Sequence, residues 1–268
     1  VYVRSPRDPV DRPDEQWQYL PGQKINTKLA IFLHGFRGDY ITTWGELNKL
    51  LATYADDDEL LRDWDFLFLG YRTKAMNTYL DISKILRSKF NAALKGESPF
   101  NHPYERFALF GHSLGTLGIR QFLCQSDGYG DKAWRKRIGG ACLICPVETG
   151  SSLGRIAKWV YPIGEALRPG NAQLLMLQQW VRTILTDHDP VPVRIVMASG
   201  DAVVGSDGGW PGDPPIETII SYAADRWQTQ IGIDLQRFMD HIRAARPGSS
   251  WRSSTLVGAI YDTLKAAG

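Results

Sequence analysis

Phe107-Ala-Leu-Phe-Gly111-His112-Ser113-Leu114-Gly115 sets a short apolar run directly against the pattern G-x-S-x-G, and helical apolar spacing follows at Leu117–Cys124. An apolar run of this length predicts a strand buried on both faces. The two glycines let such a strand turn sharply into a helix without a Cβ clash. Ser113 then projects from the turn with its Oγ exposed, and the free N–H groups of the helix start lie behind it. The string alone is a weak signal, but between a buried strand and a helix it marks a candidate nucleophile.

The same alternation continues on both sides. Leu29–Leu33 is a continuous apolar run ending in His34-Gly35, Trp64–Leu69 is another, and Gly140–Cys145 and Val193–Ala198 follow. A last strand is expected around Gln228–Met239, and strand-like pieces near Val1–Val3 and Trp17–Leu20 precede the series. Helical spacing is expected at Thr42–Leu51, at Leu80–Leu94, throughout Ile156–Leu185 with Asn171 as an N-cap, and at Thr255–Leu264. Strands alternating with helices predict an α/β fold with a mostly parallel sheet covered on both faces. The chain is expected to form one domain over 1–268, with 151–190 as a helical cap inserted between two strands.

A serine hydroxyl needs a base to take its proton, and on this topology the chain order is serine, acid, histidine. The chain has five histidines. His241 alone follows the fifth strand near the end of the sheet, whereas His34 sits in the loop beside the expected oxyanion site. His112 belongs to the turn itself, His102 lies in a loop, and His188 falls at the end of the cap. His241 is therefore the candidate base. Asp201, in the turn after Val193–Ala198, is the candidate acid that orients it, with Glu148 as the rival. The developing oxyanion calls for two preorganised N–H donors. Leu114, directly after the nucleophile, and Phe36, after His34-Gly35, are the expected pair.

Composition sets the outer bounds. The 268 residues carry 31 Lys+Arg against 29 Asp+Glu, a formal charge of +2, so no nucleic-acid partner is expected. Hydrophobic residues make up 43% and no apolar run approaches the roughly 18 residues of a transmembrane segment. Cys142 and Cys145 form a C-x-x-C string inside an apolar strand. Residues three apart on a strand point to opposite faces, so neither a disulfide nor a metal site is expected there. The acidic run Asp56–Glu59 lacks the spacing of a calcium loop, and Asp187-His188-Asp189 resembles metal ligands in type only. No metal and no cofactor are expected. The basic cluster Lys132–Arg137 is expected on a solvated face. Residue 1 is Val and no apolar signal segment follows, so a processed or trimmed form is expected, with cytoplasmic localisation. Oligomeric state is left open.

With these residues placed, the chain resembles the α/β-hydrolase superfamily of serine hydrolases over nearly its full length. More narrowly it is similar to the lipase/esterase-like branch that includes serine-active-site-containing proteins and the deacylases of glycosylphosphatidylinositol anchors. The pieces that carry the resemblance are Phe32-Leu-His-Gly-Phe-Arg-Gly with Thr43-Trp44, then Phe68-Leu-Gly-Tyr71-Arg-Thr73 and Gly-His-Ser113-Leu-Gly. Pro146 with Gly150-Ser151, Gly200-Asp201-Ala-Val-Val-Gly205 and Asp240-His241 complete them. After Pro146 the chain reads Val-Glu-Thr, where relatives often carry a histidine. The resemblance implies a Ser113, Asp201, His241 triad acting on carboxylic esters through an acyl-enzyme, with a small-molecule ester or acyl compound as substrate. A thioesterase or acyltransferase on the same triad is the alternative. A non-catalytic binding protein on this fold would be expected to have lost a triad member, and all three residue types are present.

Overall fold

The computed structural model describes residues 2–3, 15–45, 47–55, 58–125, 134–147, 150, 161–185, 191–200, 218–223 and 256–268. Eight strands form one sheet: β1 (Tyr2–Val3), β2 (Glu15–Leu20), β3 (Lys28–Leu33), β4 (Trp64–Tyr71), β5 (Arg106–His112), β6 (Ile138–Ile144), β7 (Val193–Gly200) and β8 (Thr218–Ala223). Their order is β1-β2-β4-β3-β5-β6-β7-β8. The six strands from β4 to β8 run parallel, and β2 and β1 extend that side antiparallel. The sheet order reverses at β3, which lies between β4 and β5, so the ends of β3 and β5 flank the crevice where such folds place their sites.

Period-two alternation divides the buried side chains into two layers. Leu29, Ile31, Leu33, Leu67, Leu69 and Leu109 face one way, against α2 (Tyr79–Lys95), α3 (Leu114–Gln125) and part of the insertion after β6. Ala30, Phe32, Phe66, Phe68 and Phe110 face the other way, against α1 (Leu47–Tyr54) and a last helix at Leu256–Ala267. Across three adjacent strands Phe32 stacks on Phe68 at 4.6 Å and on Phe110 at 4.5 Å, because the parallel registers put all three rings opposite one another. The N-terminus of α2 is fixed by Thr78, whose Oγ1 accepts from the Leu80 N–H, while the Asp81 carboxylate takes the N–H groups of Asn77 and Thr78.

Between β6 and β7 the chain forms α4 (Ile163–Ala166) and α5 (Ala172–Leu185), and α6 is the closing helix Leu256–Ala267. The continuous helix expected over Ile156–Leu185 is broken at 167–171. Pro169 removes a donor there, and Gly170 takes a φ of 77°. Asn171 does cap α5, its Oδ1 accepting from the Gln173 N–H at 2.8 Å. Leu174, Leu177 and Val181 are buried. Residues 156–160 lie outside the described part, as do 228–239, where a last strand was expected. The strand at Thr218–Ala223 was not foreseen.

Cys142 and Cys145 fall in the same layer, not in opposite ones. Cys145 sits one residue past β6 with a φ of 48°, and that turn brings its side chain back to the face of Cys142. No disulfide joins them. Arg135, expected on a solvated face, is buried, while Lys136 and Arg137 are exposed.

Candidate active site

The turn between β5 and α3 holds Ser113 at a φ of 50°, a left-handed conformation that non-glycine residues rarely adopt. Two backbone bonds hold the strained residue: its N–H donates to the Ile144 carbonyl of β6 at 2.8 Å, and its own carbonyl accepts from the Thr116 N–H at 2.9 Å. The Thr116 hydroxyl donates to the same carbonyl at 2.6 Å. The sequence pattern thus has the strand, sharp turn and helix that its chemistry needs, and Ser113 retains partial exposure.

Two close approaches bring the β3 loop to this serine. A Cβ at Gly115 would lie 2.6 Å from the carbonyl oxygens of Leu33 and His34, so the start of α3 sits directly on the end of β3. A Cβ at Gly35 would lie 2.8 Å from the Ser113 Cβ. Only glycine permits either contact. Phe36 follows at once, its ring edge-on to Tyr161 at 4.9 Å. Among the described residues the Phe36 N–H has no hydrogen-bond partner, whereas the next amide, Arg37 N–H, donates to Thr73 Oγ1 at 3.1 Å. The Leu114 N–H opens α3, where first-turn amides have no intrahelical acceptor.

His34 is fully buried and both its ring nitrogens are engaged. Nε2 accepts from the Tyr71 N–H at 3.0 Å, which leaves the proton on Nδ1, donated to the Gly35 carbonyl at 2.8 Å. The Tyr71 hydroxyl donates back to the His34 carbonyl at 2.5 Å, and the two rings stack at 4.1 Å. The residue pair ties the loop after β3 to the end of β4. Sequence reasoning named the motif around Tyr71 but gave it no role, since its partner lies 37 residues away. Burial holds the His34 pKa below the usual range. Burial, and then the proximity of His34, lowers His112 to about 3.

Both rings therefore stay neutral in the folded protein. Below about pH 6.5 the unfolded chain takes up protons that these sites refuse, so stability falls as pH drops from 7 toward 5. The slope is at most roughly 1.4 kcal/mol per pH unit for each histidine, and above pH 7 neither contributes. Urea midpoints measured across this range should fall on the acid side, and His112→Gln should flatten part of the slope. A flat wild-type profile would contradict the assignment.

His102 is also accounted for: Nε2 contacts the Asn26 carbonyl at 2.6 Å and Nδ1 contacts Asn101 Oδ1 at 2.7 Å. It precedes β5, so the length of a seven-residue strand, about 20 Å, separates it from Ser113. Asp201, His241, His188 and Glu148 lie outside the described residues, as do Asp56, Asp57 and Lys132. Asp58 caps the turn at Leu61–Asp63 through the N–H groups of Leu60 and Leu61, a structural role. No group of potential metal ligands occurs among the described residues. No helix among them is long and apolar enough to cross a membrane.

No protein-family model matches the chain, and no curated protein matches it. Among solved structures it is similar to the mature Bacillus licheniformis lipase BlEst2, at 10% identity over 84% of this chain and 97% of that one, with a TM-score of 0.55. It is similar to the Paleococcus ferrophilus monoacylglycerol lipase at 11% identity over 85% and 99%, with a TM-score of 0.50. The Legionella pneumophila phospholipase PlaB aligns at 19% identity over 65% of this chain, with a TM-score of 0.47, and the chain spans 38% of PlaB's length. The first two likenesses and the sheet topology identify the fold as that of the α/β-hydrolases.

Proposed function

We propose that the chain is a serine hydrolase of carboxylic esters, with Ser113 as nucleophile, His241 as base and Asp201 as the acid that orients it. The observation that carries this is Ser113 itself, strained at a φ of 50° between β5 and α3, with the Gly35 loop against its Cβ. Strain at one partly exposed polar residue, held by a bond to a neighbouring strand and another from the following helix, supports reading the turn as functional. The supporting argument for Asp201 is that β7 ends at Gly200, one residue earlier, in the same parallel set as β5. Glu148, four residues after β6, is the rival acid. For His241 the support is partial elimination: His34 and His102 have both ring nitrogens engaged, and His112, lowered to about 3, is too weak a base. That leaves His241 and His188, of which His241 alone follows β7.

In this mechanism Ser113 Oγ attacks the acyl carbon while His241 takes its proton. The Phe36 and Leu114 amides receive the oxyanion, each worth roughly 2.7–4 kcal/mol in comparable sites. His241 then protonates the departing alcohol, and water, activated by the same histidine, releases the acid. On this reading the chain is one domain over 1–268, with 151–190 as a helical cap insertion.

The test is reaction with a fluorophosphonate, followed by mapping of the adduct. One phosphonyl group on Ser113 is expected. An unreactive protein, or an adduct on another residue, would remove the nucleophile assignment.

A further inference from the structure

Three non-glycine residues among the described ones have a left-handed φ: Arg37 at 58°, Ser113 at 50° and Cys145 at 48°. They follow β3, β5 and β6, three neighbouring strands, all at the carboxyl edge. Ser113 and Cys145 have evident reasons. One presents the candidate nucleophile, and the other ends its strand while donating its N–H to the Val196 carbonyl at 2.7 Å. Arg37 has no such packing reason.

Arg37 is the third residue of the turn Gly35–Gly38, closed by the Gly38 N–H on the Gly35 carbonyl at 3.1 Å. A third position with positive φ is where turn chemistry favours glycine or asparagine. Arginine there carries a conformational cost that glycine avoids. Burial does not offset it, because the side chain is exposed. Nor does an ion pair, since the guanidinium has no hydrogen bond or salt bridge among the described residues.

Two further cations lie on the segment that holds this loop. The Arg37 N–H is held by Thr73, which starts the short turn Thr73–Ala75 containing Lys74. Arg72 and Lys74 are exposed there, and Lys74 has no acidic partner among the described residues. Segments 28–38 and 66–80 contain no Asp or Glu, in a chain whose overall charge is only +2. The nearest carboxylate in sequence, Asp39, keeps its negative charge but makes no ion pair with Arg37; it accepts from the N–H groups of Ile41 and Thr42 and from the Thr42 hydroxyl.

We propose that the site takes acyl esters bearing an oxyanion group, a phosphate or a carboxylate, close to the scissile carbonyl. Arg37, one residue beyond the Phe36 amide, binds that group, and Lys74 assists. This rests on the ester-hydrolase reading of the site. The guanidinium fork suits such a group because it presents paired N–H donors to two oxygens at once.

The test compares kcat/KM on a short-chain diacylglycerol and on the diacylglycerol phosphate with the same acyl chains, both as monomers. Wild type is expected to prefer the phosphate. Arg37→Gly is expected to cut that preference by roughly tenfold or more, the value of a charge-assisted hydrogen bond, mainly through KM on the phosphate ester. Lys74→Gln should cut it less, and Arg37→Lys should restore part of it. The Tm of Arg37→Gly should be no lower than wild type, because glycine suits the φ at this position. Salt at roughly 1 M, where the screening length is about 3 Å, should erode the wild-type preference more than that of Arg37→Gly. A second arm presents the same pair in neutral phosphatidylcholine vesicles. Preference among monomers assigns the recognised anion to a free substrate, and preference confined to vesicles assigns it to a lipid headgroup at a surface. Equal wild-type rates on both esters in both arms, or an equal loss on both in Arg37→Gly, would overturn the proposal while leaving the hydrolase reading intact. No turnover of either ester by a wild type that still reacts with the fluorophosphonate would overturn the proposal alone, and a wild type inert to both would end both readings.

Discussion

On the proposed mechanism Ser113→Ala is expected to lower kcat/KM on a chromogenic ester by roughly 10⁴- to 10⁶-fold, His241→Ala to fall in the same range, and the double variant to be no slower than the worse single one. Residues that act as one unit lose their whole contribution when either is removed. Without Ser113 the base has no proton to take, and without His241 the hydroxyl is too weak a nucleophile at neutral pH. On the same mechanism the residual rate would come from the Phe36 and Leu114 amides, which neither substitution touches. Alanine keeps the Cβ that Gly35 already accommodates, so Ser113→Ala should unfold at the wild-type urea concentration. Losses that multiply in the double variant would show that the two residues do not share a step. A His241→Ala enzyme of near-wild-type rate would return the base to His188.

Asp65→Ala is the second large effect, and it is one of stability. The Asp65 side chain is fully buried at the start of β4, at the edge of the sheet opposite the site. It accepts from the Gly22 N–H at 2.8 Å, from Asn26 Nδ2 at 2.8 Å, from the Tyr19 hydroxyl at 2.9 Å and from the Tyr104 hydroxyl. The two hydroxyls also meet at 2.5 Å, so two protons serve three contacts and one tyrosine must also accept. Burial is the main cause that raises both tyrosine pKa values above the usual range, which keeps them as donors. Removing the carboxylate strands at least three donors away from water, a loss of roughly 3–5 kcal/mol. Chemical denaturation should show that loss, with the midpoint falling and the m-value unchanged. A change below about 1 kcal/mol would mean that water replaces the carboxylate.

What could be foreseen depended on how local its cause is. The elbow, the Gly35 loop and the strands β3 to β7 are written in runs of a few residues, and continuous apolar runs with the glycines beside them were enough to find them. The break in the cap helix was also written locally, in Pro169-Gly170, but the apolar stripe on either side outweighed it. Cys145 was misplaced because strand alternation was carried one residue too far, into a position with positive φ. The Asp65 cluster and the His34–Tyr71 pair left no trace in any window. Their members are 46 and 37 residues apart, and only the sheet order brings them together. Thr218–Ala223 was passed over because Ser221 interrupts its apolar run, and pairing with β7 makes it a strand nonetheless.

The closing helix has a consequence for synthesis. Arg106, at the start of the central strand β5, donates through Nε to the Ala267 carbonyl at 2.8 Å, across 161 residues of sequence. Gly139 of β6 is pressed against the same residue, where a Cβ would lie 2.5 Å from its carbonyl oxygen. At ordinary translation rates roughly 8–30 s separate the appearance of these two ends. Through that interval the nascent sheet lacks the helix that covers Ala108, Phe110 and Cys142, leaving apolar surface of the kind chaperones bind until residue 267 arrives.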